Sequence, residues 1–230
     1  MIDFARIEKH ELSTVPYRWA FVCDLFAPEG AAALAASYPR DQFKTVTGND
    51  GEKSYSYEAR SLVHMGAAAP SHPEGLAAPW RELAADLLSQ DYRSAMTRLT
   101  GCDLRAAPIE VNVFHYGPGA WLGPHVDLRD KLATHVLYFN RAWNPEDGGC
   151  MTVLRSSDPS DAHARIEPLI GNSSVLVRSD DSWHAVSRVA RGCRRSRRSA
   201  TVTFYRPGSI STMWPPGDAA RLHRYRAADD

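Results

Sequence analysis

The first hundred residues alternate between short extended runs and helical periodicity. From Trp80 to about Leu99 the apolar residues recur at intervals of three and four, which predicts an amphipathic helix. Pro28 opens an alanine-rich stretch that reaches about Ser37, and proline is tolerated in a first helical turn. This part of the chain is predicted to contain strands at 19–23 and 54–63, helices at 29–37 and 80–99, and loops at 47–53 and 65–79.

After Gly101 the pattern changes to short apolar or β-branched runs separated by Gly, Pro, Asp and Asn. No helical period separates these runs, so they predict a sandwich or barrel rather than an alternating α/β sheet. The fold class is therefore mainly β with N-terminal helices, an α+β domain. The predicted strands cover residues 107–115, 134–140, 150–154, 166–169, 174–177 and 199–205.

Length favours a single domain over residues 1–230, because a chain of this size buries about 70% of its unfolded surface. No internal repeat divides it. Within this domain we predict a helix-and-strand support region at 1–106, a β core at 107–206 and a C-terminal tail at 207–230.

Charge and cysteine usage narrow the classes of partner. Lys plus Arg equals Asp plus Glu at 27 each, so overall charge gives no reason to expect nucleic acid or an anionic membrane. No apolar run approaches the roughly 18 residues of a membrane span. Seven arginines lie between 188 and 206, and such a cluster is more often a solvated loop than a phosphate or nucleic-acid site, although one member is assigned a role below. The four dispersed cysteines predict reduced thiols in a cytoplasmic protein. The oligomeric state does not follow from the sequence.

The chemistry concentrates at His125 and Asp127, which follow a turn-rich segment at 116–124. In an extended strand these two side chains point to the same face and can hold adjacent positions on one metal ion. His184 follows a later apolar run and offers a second imidazole. Two imidazoles and one carboxylate leave half of an octahedron open, as in non-heme Fe(II) centres that bind a cosubstrate and dioxygen. Taken alone, a His-x-Asp triplet is a weak signal that also arises in surface ion pairs.

Ordered motifs surround these three residues. Residues 116–127 combine a strand end, a glycine turn and the His-x-Asp triplet, and 134–143 form a central strand with the turn after it. An acidic residue and paired glycines follow at 147–149, and 166–186 supply a strand, a turn and a strand that ends near His184. In this order the segments resemble the iron(II)- and 2-oxoglutarate-dependent dioxygenases, specifically their prolyl-4-hydroxylase-like branch. The resemblance covers about residues 108–206 and implies a double-stranded β-helix of the jelly-roll or cupin type.

The resemblance also implies the cofactors and their anchors. Fe(II) would bind His125, Asp127 and His184, with 2-oxoglutarate and dioxygen as cosubstrates and ascorbate as a stimulant. A guanidinium can hold the distal carboxylate of 2-oxoglutarate through two parallel hydrogen bonds. Arg198, at the start of the last predicted strand, is the first choice, and Tyr138 resembles the tyrosine that hydrogen-bonds the same carboxylate. The family has fewer residues between the distal histidine and this arginine, so three neighbours stay open as alternatives: Arg194, Arg195 and Arg197.

Residues that face the substrate are predicted with alternatives left open. Tyr116 and Trp121 either line the substrate pocket or pack the mouth of the barrel, and Arg129 is predicted to contact the substrate. His115 and His135 alternate in strands near the proposed metal, and a structural role is the favoured interpretation of both. Substrate selection is predicted to involve residues 55–60, 129–131 and 212–217.

The predicted function is an oxygenase that couples oxidative decarboxylation of 2-oxoglutarate to hydroxylation, or a related C–H oxidation, of a polar small molecule in specialised metabolism. The carboxylate of Asp127 favours this reaction over halogenation, because halogenases of the wider superfamily have a small residue at that position. One alternative is a prolyl hydroxylase that acts on a protein or peptide. An alternative from another class is a non-catalytic barrel that binds a metal or a small ligand.

Overall fold

The computed structural model describes residues 1–49 and 54–226 of the chain. Within these ranges the helices are α1 (Phe4–Lys9), α2 (Pro28–Ala36), α3 (Ala78–Leu88) and α4 (Gln90–Thr100). The strands are β1 (Trp19–Val22), β2 (Lys44–Asn49), β3 (Ser54–Val63), β4 (Ile109–Tyr116), β5 (Trp121–His125), β6 (Lys131–Tyr138), β7 (Met151–Leu154), β8 (Ala162–Ile166), β9 (Ser173–Val177), β10 (His184–Val186) and β11 (Arg197–Tyr205).

The strands form one curled antiparallel sheet in the order β1-β9-β6-β11-β4-β3-β5-β10-β7-β8, with β2 paired to β3. Strand β3 joins the two halves of the curl, because residues 58–63 pair with β4 while Tyr55 and Ser56 pair with β5. The sheet therefore folds back on itself and encloses a space between its halves. The predicted fold class is confirmed: the protein is mainly β, with a core that has the architecture of a double-stranded β-helix.

The alternation of side chains along β11 separates the hydrophobic core from the interior of the curl. Ala200, Val202 and Phe204 are fully buried and belong to the core cluster that also contains the apolar faces of the helices. The residues between them point to the opposite face and line an internal cavity. Strand β4 follows the same rule, with its odd-numbered residues Ile109, Val111 and Val113 in the core. The helical layer thus supports the outer face of the sheet and leaves the inner face for chemistry.

Several element boundaries differ from the sequence prediction. The single helix predicted at 80–99 is two helices, because Ser89 ends α3 and caps α4 by accepting a hydrogen bond from the backbone N–H of Tyr92 at 3.1 Å. The strand predicted at 166–169 lies earlier, as β8. In the loop predicted at 47–53, residues 47–49 belong to β2, and 50–53 lie outside the described residues. The elements that the pattern did not predict are α1, β2, β5 and β10.

The cysteines and the helices were each compared with the sequence prediction. All four cysteines are free thiols: Cys150 and Cys193 are buried, Cys102 is half-buried and Cys23 is exposed. In the described part of the chain, no helix has the length and apolar character that crossing a bilayer requires.

Gly148 fixes the turn before β7. Its φ of +69° lies in the region that favours glycine, and a Cβ at this position would collide with the backbone carbonyl of Arg188. We expect Gly148→Ala to lower the free energy of unfolding by roughly 2–4 kcal/mol, measured by denaturant titration. Gly171→Ala is the matched control, since φ there is +87° but a Cβ would meet open space, and only about 1 kcal/mol of backbone strain is expected. Equal losses in the two variants would contradict a steric role for Gly148.

Candidate active site

The interior of the curled sheet holds a cavity of about 600 Å³. Its floor is formed by the inward faces of β4, β6 and β11, and its other walls by β5, β10 and the β2–β3 hairpin. A volume of this size accommodates a small cosubstrate together with part of a second molecule. His125, Asp127 and His184 all line it.

The two histidines are brought together by a strand pair. His125 ends β5 and His184 begins β10, and the two residues face each other in the antiparallel register. Their ring centroids lie 4.2 Å apart. Asp127 follows β5 directly, and one potential ligand atom from each of the three side chains lies within 4.8 Å of the others. The structure therefore forms one candidate metal centre from three residues, of which His125 and His184 are 59 positions apart in sequence.

The hydrogen bonds of the two imidazoles fix which nitrogen can ligate a metal. Nδ1 of His125 lies 2.9 Å from the carbonyl oxygen of Gly123, and Nδ1 of His184 lies 2.9 Å from the carbonyl oxygen of Ser182. A carbonyl can only accept, so Nδ1 carries the proton in each ring. In a neutral imidazole, Nε2 then carries the lone pair that a metal ion needs. Such carbonyl partners orient histidine ligands in metal sites.

Asp127 is held in place by two donors. The Lys131 ammonium lies 2.6 Å from Oδ1, and the Thr134 hydroxyl donates to Oδ2 at 2.8 Å. Burial alone would raise the pKa of this carboxyl, but Lys131, His184 and His125 outweigh burial and hold the pKa well below its usual range. Each carboxylate oxygen has two acceptor positions, so one remains on each for a metal. The donor set of two imidazoles and one ionised carboxylate fits Fe(II).

Thr134 provides a test of this arrangement. We expect Thr134→Val to lower the affinity for Fe(II) by roughly 10- to 100-fold, because the nearly isosteric valine removes one hydrogen bond that orients Asp127. Anaerobic titration with Fe(II) measures this change. Thr201→Val is the matched control, since Thr201 lines the same cavity from β11. An affinity in Thr134→Val equal to that in Thr201→Val would show that this hydrogen bond does not position the carboxylate.

Arg197, rather than Arg198, enters the cavity. Arg197 is 2% exposed and shares the inward face of β11 with Ser199, to whose hydroxyl its Nη1 donates at 2.6 Å. Its Nε is buried and has no hydrogen-bond partner among the described residues. The Arg198 side chain lies on the opposite face, 5.4 Å from the ring centroid of Tyr38. The predicted position of Arg198 at the cavity is therefore wrong by one residue, because β11 begins at 197 and successive side chains alternate.

Two aromatic rings flank the Arg197 guanidinium. Its carbon lies 4.8 Å from the ring centroid of Tyr116 and 5.6 Å from that of Tyr138. Burial raises the pKa of both phenols to about 12, and Arg197 partly offsets this rise. The Tyr138 hydroxyl shares a hydrogen bond of 2.9 Å with the hydroxyl of Ser174. Both phenols thus remain neutral hydrogen-bonding groups beside a buried cation. The remaining arginine alternatives, Arg194 and Arg195, are exposed.

The predicted substrate-facing residues divide between two surfaces. Tyr116 lines the cavity. Trp121 does not: its ring stacks under the Arg188 guanidinium at 3.6 Å and belongs to a separate outer groove. A register shift interrupts the β5–β10 pair between His184 and Val186, where Val186 faces Leu122. Arg129 is exposed in the turn before β6 and does not line the cavity. The predicted placements of Trp121 and Arg129 are therefore corrected.

His115 and His135 are structural, as expected. His115 is fully buried, lies 2.7 Å from the Ser196 hydroxyl and stacks on Tyr225 at 3.9 Å. His135 lies 2.9 Å from the Tyr92 hydroxyl on the helical side of the sheet. Burial lowers the pKa of each imidazole to about 3, so both stay neutral.

Lys44 joins the β2–β3 hairpin to the C-terminal tail. Its ammonium donates to the carbonyl of Met213 and to the carboxylate of Asp218, and it lies 4.0 Å from the ring centroid of Trp214. Thr212 and Met213 line the cavity from the tail, whereas residues 227–230 lie outside the described residues. The regions predicted at 55–60, 129–131 and 212–217 thus each contribute to the wall, the first through Tyr55 and Tyr57 and the second through Lys131.

Glu110 is a cavity residue that the sequence prediction missed. It is 1% exposed and lies with Asn112 on the inward face of β4. A signal was present: these two polar residues alternate with Ile109, Val111 and Val113, which indicates a strand with one polar face. Because the strand was predicted as an apolar run, its even positions were not assigned a role.

Comparison with known proteins connects this site to a family. The sequence pattern of the 2OG-Fe(II) oxygenase superfamily matches residues 111–206, a range that contains the metal triad and Arg197. No curated protein sequence matches the chain. The matched residues run from within β4 to the end of β11, about two fifths of the chain, and they build most of the cavity.

Solved structures share the fold at low sequence identity. A Pseudomonas putida prolyl-4-hydroxylase superposes with a TM-score of 0.54 at 18% identity, over 88% of this chain and 98% of that one. A prolyl 4-hydroxylase from Phytophthora capsici gives 0.57 at 14% identity, over 90% and 66%. SnoN, a non-heme alpha ketoglutarate dependent epimerase from nogalamycin biosynthesis, gives 0.51 at 13% identity, over 98% and 90%. At these identities the likeness concerns the fold.

The family match and the candidate centre lead to one class. Residues 111–206 match a superfamily of Fe(II)- and 2-oxoglutarate-dependent oxygenases, which are oxidoreductases, and this segment contains the candidate metal centre. Members of that superfamily use Fe(II), 2-oxoglutarate and dioxygen, and the donor set of the candidate centre fits Fe(II).

Proposed function

We propose that the protein hydroxylates, or otherwise oxidises at a C–H bond, a polar small molecule in a reaction coupled to decarboxylation of 2-oxoglutarate. The observation that carries this proposal is the placement of the metal triad and the buried Arg197 in one internal cavity. Iron(II) with 2-oxoglutarate and dioxygen supplies the oxidising chemistry, in which the cosubstrate becomes succinate and carbon dioxide.

The chain's own residues hold and orient the reactants. Nε2 of His125, Nε2 of His184 and a carboxylate oxygen of Asp127 are the proposed ligands of Fe(II). Arg197 is the proposed partner of the distal carboxylate of 2-oxoglutarate, since its buried Nε lacks a hydrogen-bond acceptor among the described residues. Tyr138, whose ring centroid lies 5.6 Å from the guanidinium carbon of Arg197, is proposed to hydrogen-bond the same carboxylate.

The way the cavity wall is joined favours a small molecule as the substrate. Lys44 ties the β2–β3 hairpin to the tail, and both segments line the cavity. An extended peptide needs a continuous surface groove on both sides of the residue that reacts, whereas a small molecule needs only an entrance. SnoN, which shares the fold, is described as an enzyme of nogalamycin biosynthesis. This agrees with the proposed setting in specialised metabolism, and the cytoplasmic location stays a prediction.

A peptide or protein substrate is the second candidate. The observation that favours it is the fold shared with a bacterial prolyl-4-hydroxylase over 88% of this chain. A non-catalytic barrel is less consistent with the site, because a metal binder has no need of a buried guanidinium beside the metal centre, and a carboxylate binder has no need of the triad.

One experiment separates these candidates. The protein, loaded with Fe(II) and supplied with ascorbate, 2-oxoglutarate and air, is incubated with a panel of amino acids and polar metabolites and, separately, with proline-containing peptides. Succinate measures cosubstrate turnover, and a mass gain of one oxygen atom identifies the oxidised product. The proposal predicts stimulation and oxidation within the metabolite panel. Stimulation by peptides alone would replace it with the second candidate.

A further inference from the structure

Two charged side chains of the cavity, Arg197 and Glu110, form no ion pair with another described residue. Lys131 is paired with Asp127 at 2.6 Å, and Lys44 is paired with Asp218. Arg197 and Glu110 form no ion pair with any residue in 1–49 or 54–226, and both are at most 2% exposed. A buried charge that lacks a counter-charge is costly, so each of these groups calls for a ligand of opposite sign. Under the proposed function, the partner of Arg197 is the cosubstrate carboxylate.

The donors around Glu110 are all neutral. Its carboxylate accepts hydrogen bonds from the Asn112 amide at 3.2 Å, from the Tyr205 hydroxyl at 3.4 Å and from the Ser211 hydroxyl. The Asn112 amide is itself fixed, because its oxygen accepts a hydrogen bond of 2.7 Å from the indole N–H of Trp214. A carboxylate offers about four acceptor positions. These three bonds therefore orient the charge without neutralising it and leave about one acceptor position for a ligand.

Strand register places Glu110 far from Arg197 but level with the metal centre. Arg197 faces Tyr116 across the β4–β11 pair, whereas Thr203 faces Glu110. Six residues of β4 separate these two levels, a distance of about 20 Å. Thr203 also faces Thr134 of β6, whose hydroxyl donates to Asp127. Glu110 therefore lies on the side of the metal centre that the distal carboxylate of the cosubstrate does not occupy.

We infer that Glu110 binds a protonated amine of the primary substrate and thereby selects cationic small molecules. This inference rests on the proposed function and names the substrate class for the same site. The charge arrangement supports it: a dianionic cosubstrate is held at the Arg197 end, and the carboxylate of Glu110 attracts the opposite charge to the other end of the cavity. An ammonium group at Glu110 forms a charge-assisted hydrogen bond, the stronger kind in a dry site. A neutral alcohol of the same shape forms only an ordinary one.

Matched amine and alcohol probes test this inference. The protein is loaded with Zn(II), as an inert substitute for Fe(II), and with 2-oxoglutarate, and fluorine-detected NMR measures binding of para-fluorobenzylamine against para-fluorobenzyl alcohol and of fluoroethylamine against fluoroethanol. We expect at least one amine to bind about tenfold more tightly than its alcohol. Glu110→Gln is expected to abolish this preference, and Glu110→Asp to retain it because the charge is kept. Glu82→Gln, on the exposed face of α3, is the control and is expected to behave as wild type.

The outcomes separate this inference from the proposed function. Calorimetric titration of 2-oxoglutarate into the metal-loaded protein tests the cosubstrate site, and its failure would count against the proposed function whatever the probes do. If 2-oxoglutarate binds but wild type shows equal affinity for amine and alcohol, or binds neither at millimolar concentration, the inference is overturned. The same holds if Glu110→Gln keeps the full preference. If Glu110→Gln fails to fold, the ratio of amine affinity to alcohol affinity in the wild-type protein decides whether the inference stands.

Discussion

Replacement of His184 by alanine is expected to lower the affinity for Fe(II) by more than about 100-fold. Loss of a residue that only hydrogen-bonds a metal ligand costs roughly 10- to 100-fold, and loss of a ligand itself should cost more. His184 supplies one of three protein ligands in the candidate centre, and no other histidine, cysteine or carboxylate of the described chain belongs to this group. Succinate formation should fall to background with it. Iron content after anaerobic loading and desalting measures the first effect, and a turnover assay measures the second.

The control for this variant is His72→Ala, which removes an exposed imidazole from the loop before α3. Its iron content should equal that of wild type. Thermal melts of both variants without metal establish that each is folded. Full iron loading and turnover in His184→Ala would remove this residue from the centre and contradict the assignment of the triad.

Arg197→Met is expected to raise the KM for 2-oxoglutarate by about 100-fold or more. The substitution removes a guanidinium that is proposed to hold a carboxylate through charge-assisted hydrogen bonds, and truncation of one partner of such a buried pair costs 2–5 kcal/mol. Iron binding should change little, because Arg197 does not contact the triad. Initial rates of succinate formation at increasing cosubstrate concentration measure the effect.

Arg198→Met is the matched control, because it removes the same group from the next residue of β11. Its side chain faces Tyr38 on the opposite side of the strand, so the KM for 2-oxoglutarate should stay within about twofold of wild type. Arg197→Lys should restore part of the affinity, since an ammonium keeps the charge but loses the planar bidentate geometry. A large KM effect in Arg198→Met together with a small one in Arg197→Met would reverse the assignment.

These paired arginines illustrate how far the sequence leads. The order of the motifs predicted the metal triad, and the family resemblance implied a guanidinium near the start of the last strand. The choice between Arg197 and Arg198 depends on which face of β11 is inward. The alternation of apolar and polar residues from 199 to 204 indicates the two faces, whereas pairing with β4 extends the strand to Arg197 and so places this side chain on the inward face. A difference of one residue therefore moves a side chain from the cavity to the helical side of the sheet.

The missed elements have similar physical causes. Strand β5 contains Gly123 and Pro124, residues typical of turns, and β10 is only three residues long. Both are held by their partners in the sheet rather than by local propensity. By contrast, β4, β6, β9 and β11 were predicted because their buried residues are numerous and β-branched or apolar. Long-range pairing thus decides the parts of the site that periodicity leaves open.

The break between α3 and α4 was missed for a different reason. The N-cap serine that marks it is a local signal, but the apolar periodicity of the whole segment predicts a single helix. Apolar spacing continues across Ser89, so periodicity predicts one helix. Serine is a preferred N-cap residue, and its side chain here accepts from the N–H of Tyr92. The change of direction lets α4 pack against α1 as well as α3.

Conversion of 2-oxoglutarate to succinate by the wild-type protein under air, with and without added Fe(II) and in the presence of amine-containing metabolites, tests the proposed function. We expect succinate formation that requires iron, that is stimulated by at least one cationic small molecule, and that is accompanied by an oxidised product in equal amount. Stoichiometric binding of Fe(II) without any succinate, across metabolites and peptides alike, would contradict the proposed function and leave a metal-binding barrel.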